Sequence, residues 1–67
     1  MSVAKVVEIS SSSANSFEDA VRVGIARANR TLKNITGAWV NEEKVKVVDG
    51  EVVEWRVNLK VSFLLED

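Results

Sequence analysis

The chain has 67 residues, 46% of them hydrophobic, and its nine basic and ten acidic residues leave a net charge of −1. It contains no cysteine and no histidine, which excludes disulfides, the usual zinc sites, thiol nucleophiles and any Ser-His-Asp arrangement. The balanced charge lacks the basic excess of a nucleic-acid or membrane-surface protein, no apolar run approaches the roughly 18 residues of a membrane span, and no signal peptide is visible, so a soluble cytoplasmic protein is expected.

A domain of this length buries only about 60% of the surface its unfolded chain exposes, so small domains often rely on disulfides, metals or oligomerisation. With disulfides and zinc excluded, the expectation is one domain over residues 1–67 that associates with copies of itself.

Residues 3–9 (VAKVVEI) are rich in β-branched types and predict a first strand. Residues 10–15 (SSSSAN) are small, polar and unpatterned and predict a loop. A serine run before a helix is a feature of some anion-binding loops, but this one has no glycine and no P-loop spacing, and reads as solvated. Ser16 has the hydroxyl of an N-cap, and Glu18 and Asp19 suit the positive end of the helix dipole.

From Phe17 the apolar period is helical. Phe17, Ala20, Val21, Gly24, Ile25, Ala28, Leu32 and Ile35 form one stripe, with Arg22, Asn29, Arg30 and Lys33 on the other side. Gly24 and Ala28 keep part of the stripe flat, which allows close approach to a sheet. The pattern predicts a helix over 17–35, about 29 Å long at 1.5 Å per residue, ended by Gly37.

Residues 38–48 predict a second strand, with a bulge where Asn41, Glu42 and Glu43 interrupt the alternation. Asp49-Gly50 is a type I′ hairpin signal. Residues 53–65 then alternate almost without a break: Val53, Trp55, Val57, Leu59, Val61, Phe63 and Leu65 on one face, Glu54, Arg56, Asn58, Lys60 and Ser62 on the other. At about 3.3 Å per residue this strand runs roughly 40 Å and overhangs the helix. The fold class is α+β, in the order β-α-β-β, with a three-stranded antiparallel sheet curled around one helix. The overhang implies that the excess sheet meets other copies.

The segments KVVEISSSS, SFEDAVRVGIARANRTLKNI and VVEWRVNLKVSFLLED resemble those of the dodecin family along the whole length. That resemblance implies a hollow homododecamer that binds riboflavin or flavin mononucleotide (FMN) as stacked pairs between subunits, without catalysis, for storage and photoprotection. In the family a Trp soon after the helix stacks on the flavin, and a Gln in the last strand bonds its polar edge. Here the Trp position falls on Gly37, with Trp39 two residues on, and the usual Tyr-Gln pair falls on Trp55-Arg56. Trp39 is thus the candidate stacking residue, or else packs at a subunit interface. Arg56 either offers its donors to flavin carbonyls or a phosphate, or pairs with Glu54 or another carboxylate. Trp55, on the apolar face, is expected in the core beneath the helix.

Some family members without the signature residues are linked to calcium. The carboxylates Glu42, Glu43, Asp49, Glu51 and Glu54 gather around the hairpin, as a hard-oxygen site requires, but without the order of an EF-hand loop and with Lys44 and Lys46 among them. Ordinary surface charge and inter-subunit salt bridges explain them better. The competing reading is therefore a cage that has lost flavin and binds calcium or another small ligand, or is purely structural.

Overall fold

The computed structural model describes residues 2–66; Met1 and Asp67, the last residue of the closing Glu-Asp, lie outside the described residues. The elements are β1 (Ala4–Ser13), α1 (Phe17–Ala28), β2 (Ile35–Val48) and β3 (Glu51–Leu64). They form one antiparallel sheet in the order β1-β3-β2, with α1 against β1 and β3. The β-α-β-β order and the three-stranded antiparallel sheet agree with the expected class.

The serine run differs from the expectation. Ser10, Ser11, Ser12 and Ser13 are strand, paired with Asn58, Val57, Arg56 and Trp55. Local composition favours a loop, but an unbroken neighbour in β3 satisfies the backbone and carries β1 through. Ser13 then starts the helix. Its hydroxyl donates to Asp19 Oδ2 at 2.7 Å and accepts from the Asn15 amide at 2.9 Å. Ser16 is the N-cap as predicted, its Oγ accepting from the Asp19 amide at 3.0 Å.

The helix is shorter than expected. It ends at Ala28, capped by Asn29, so it spans about 18 Å instead of 29 Å. The amides of both Thr31 and Leu32 converge on the Ala28 carbonyl, at 3.1 and 2.9 Å, and the Thr31 hydroxyl donates to the same oxygen, a local competition that loosens the last turn. Asn34 then adopts φ 62°, the left-handed conformation asparagine tolerates, and turns the chain into β2. Its carbonyl accepts from the Leu64 amide at 3.0 Å and its side chain donates to Glu66. Leu32 and Ile35 keep helical spacing by coincidence; Ile35 opens a strand. Gly37, expected to end the helix, lies within β2 opposite Ser62.

Ala20, Val57, Leu59 and Val61 are the buried core, ringed by Val7, Ile9, Phe17, Val21, Ile25 and Ile35. Gly24 lets the helix approach closely there: a Cβ on it would stand 3.0 Å from Ser11 Cβ and 3.3 Å from Leu59 Cδ1. Trp55 is on the helix-facing side opposite Ser13 and Val45, but it is half-buried at the margin and outside the core, at the end of β1 where only β2 and β3 continue.

Asp49 and Gly50 have φ 50° and 79°, as the type I′ turn demands. The register shifts between Val40 and Glu42, which is the expected bulge; two more lie between Ile35 and Gly37 and between Lys46 and Val47. The protomer measures 52 × 19 × 13 Å with a radius of gyration of 13.8 Å, against roughly 11 Å for a compact chain of this length. At the far end of the hairpin Val45, Val47, Val48, Val52 and Val53 are 40–55% exposed.

Candidate functional site

The face of the sheet turned away from the helix carries the polar residues of β3. Directly paired residues share a face, so the register assigns Glu8, Ser10 and Ser12 of β1, Arg56, Asn58, Lys60 and Ser62 of β3, and Gly37, Trp39, Glu42 and Lys44 of β2 to that one surface. All three candidate ligand residues, Gly37, Trp39 and Arg56, stand on it.

Gly37 and Trp39 come together. They face Ser62 and Lys60 respectively, and Trp39 is 50% exposed, a large aromatic surface on a mostly polar face that also carries the exposed Val6, opposite Ser62. A Cβ at Gly37 would find only Ser62 Oγ within reach, at 3.6 Å. The missing side chain therefore leaves open space beside the indole. The Ser62 hydroxyl donates to the Gly37 carbonyl at 3.2 Å and fixes this corner.

Arg56 is on the same face but not beside Trp39. It faces Lys44, four residues along β3 from the Trp39–Lys60 pair, which is about 13 Å at strand spacing. Its guanidinium is ion-paired with Glu54. Arg56 lines a separate cleft of about 590 Å³ with Ser10, Ser12, Glu42, Lys44 and Asn58, and Trp39 takes no part in it. Between the two ends a ladder of amides crosses the sheet. Asn41 Nδ2 donates to Asn58 Oδ1 at 3.0 Å, and Asn58 Nδ2 donates to Glu8 Oε2 at 3.1 Å and Ser10 Oγ at 3.2 Å.

Lys60 and Asn58, which flank the Trp39 end, are absent from the residues singled out by sequence. Their even positions put them on the polar face, but which one meets Trp39 depends on the bulge at Asn41, and only one of the three register shifts was legible. Among the described residues no three carboxylates gather closely enough to hold a metal ion, so the hairpin acids make no such cluster within one chain. No described helix is long and apolar enough to cross a membrane. Among the described residues the Asp19 carboxyl is held below its ordinary 3.8 by the Ser13 and Asn15 donors, with Arg22 adding a smaller effect. It belongs to the helix cap, not to this face.

Comparisons with known proteins place this geometry. The family model for Dodecin matches residues 3–66. A Dodecin of Thermus thermophilus is 34% identical over 65 residues, covering 97% of this chain and 94% of that protein. The dodecin from Streptomyces davaonensis superposes with a TM-score of 0.93 at 33% identity, covering 98% of this chain and 97% of that one. The calcium-chelating immunodominant antigen calcium dodecin from Mycobacterium tuberculosis, solved with a novel calcium-binding site, gives a TM-score of 0.82 at 31% identity, covering 96% and 91%.

Proposed function

Since the chain belongs to the dodecin family, we propose that it assembles into a hollow, cytoplasmic homododecamer that stores and shields flavin, holding riboflavin or FMN against Trp39 where subunits meet. The observation that carries this reading is Trp39 itself: half-exposed, on the face away from the helix, with the open space of Gly37 beside it. An aromatic side chain stacked on a planar heteroaromatic ring is worth about 1–3 kcal/mol per contact.

The assembly part rests on shape. The protomer is 52 Å long around a helix of 12 residues, and the valines at the hairpin end form an apolar surface that association buries. The role is holding without transformation. Trp39 passes an electron to the photo-excited ring and takes it back, returning the ring to its ground state and quenching its fluorescence; this needs proximity and an indole, and no acid or base.

A second reading, a cage devoted to calcium or another small ligand, is favoured by the calcium dodecin among the relatives and by the pairing of Arg56 with Glu54, which occupies a residue aligned with the usual flavin-bonding Gln. The two readings separate in a fluorescence titration of riboflavin and FMN with flavin-free protein. Saturable quenching supports the flavin store. No quenching at micromolar protein overturns it and makes calcium the next ligand to titrate.

A further inference from the structure

The charged residue nearest Trp39 is Lys60. It pairs with Trp39 across β2–β3 and with Glu8 across β1–β3, so Glu8, Lys60 and Trp39 form one row across the polar face. The neutral polar groups around the indole are bonded to one another or to the backbone. The Ser62 hydroxyl is bonded to the Gly37 carbonyl. Asn58 is bonded to Asn41, Glu8 and Ser10. Glu8, which faces Lys60 from β1, accepts from Asn58. Among the described residues the ion pairs are Glu18–Arg22 and Glu54–Arg56, so Arg56 is ion-paired within its own chain, whereas Lys60, with Glu8 opposite it on β1, is in no close ion pair.

Residues directly opposite on paired strands have Cβ atoms about 4.5–5.5 Å apart, and a lysine carries its charge on a flexible four-carbon stem. Lys60, directly opposite Trp39, is therefore long enough to reach the rim of whatever lies on the indole. Resting on the flavin reading above, we infer that Lys60 makes the Trp39 site selective for a flavin bearing a phosphate ester. The ring stacks on the indole whether or not the tail is charged. The phosphate of FMN meets the uncommitted ammonium in a charge-assisted contact, and the neutral tail of riboflavin gains nothing from it. Arg56, about 13 Å away along β3, is not the selecting cation.

The test is the affinity ratio of FMN to riboflavin, measured by fluorescence quenching for the wild type, Lys60→Gln and Arg56→Gln, at low and high salt. Gln keeps the length and polarity of the side chain and removes its charge. The wild type is expected to favour FMN by up to roughly fivefold at low salt, the upper scale of a partly exposed ion pair, with the preference shrinking as salt screens it. Lys60→Gln should bring the ratio to about one by weakening FMN alone, and the ratio should survive in Arg56→Gln. A ratio unchanged by Lys60→Gln, or erased by Arg56→Gln instead, overturns the proposal. Equal weakening of both flavins by Lys60→Gln puts the ammonium on the ring and also overturns it. Failure of the wild type to bind either flavin overturns the flavin reading, and this proposal with it.

Discussion

Replacing Trp39 with alanine separates ligand binding from folding. Trp39 is 50% exposed and lies outside the cluster of Ala20, Val57, Leu59 and Val61, so its removal opens no cavity under the helix. The loss falls on the stacked ring. At about 1–3 kcal/mol per aromatic contact and about 1.4 kcal/mol per decade of affinity, Trp39→Ala should weaken flavin binding roughly 5- to 150-fold for each indole touching the ring. Trp39→Phe keeps a flat surface and should lose less affinity, but it should quench less at saturation because benzene is the poorer electron donor. The assay is a titration of FMN fluorescence with each variant, with circular dichroism and sedimentation to verify fold and size. Unchanged affinity and quenching in Trp39→Ala would refute the stacking argument. Collapse of the oligomer would instead make Trp39 an interface residue.

Three further outcomes are expected. Val61 is fully buried, so Val61→Asp forfeits about 1.5–2 kcal/mol of apolar burial and adds a carboxyl without a partner. Against roughly 3–10 kcal/mol for a domain of this size, it should not fold, and a soluble full-sized oligomer by size exclusion would show the assignment of faces to be wrong. Gly24→Ala gains about 1 kcal/mol of helix propensity, but its Cβ would meet Ser11 Cβ at 3.0 Å, and overpacking costs about 1–3 kcal/mol. Thermal melting should show a net loss of about 1 kcal/mol, and a raised melting temperature would mean that β1 yields. The Asp19 carboxyl is held below its ordinary 3.8 in the fold. The unfolded chain therefore takes up the proton more readily. The stability it contributes is complete above that value and is lost as pH falls through the folded one. Melts of wild type and Asp19→Asn across the acid range should converge at low pH; a constant difference would exclude this linkage.

Much of the fold was legible because two periods are written plainly in the chain. The alternation from Val53 to Phe63 identified β3 and both its faces, and Asp49-Gly50 located the hairpin. The helix start was equally clear, since Ser16, Glu18 and Asp19 are local signals acting within one turn. The misreadings share one cause, a tertiary contact outweighing a local pattern. Ser10 to Ser13 are strand because β3 lies alongside them. Leu32 and Ile35 continue a helical stripe, yet Asn34 in the left-handed region redirects the chain toward Phe63 and Leu64. At the candidate site, the pairing of Gly37 with Trp39 on one face was readable from their spacing. That Lys60, and not Arg56, faces Trp39 was hidden, because cross-strand register depends on bulges and one of the three was visible in the sequence.

The most direct test of the whole account is native mass spectrometry of the protein mixed with FMN. The account predicts a dodecamer that gains flavin in proportion to its subunits, and a Trp39→Ala dodecamer of the same subunit number that gains little. A wild-type dodecamer that takes up no flavin, or a species smaller than a dodecamer, would contradict it.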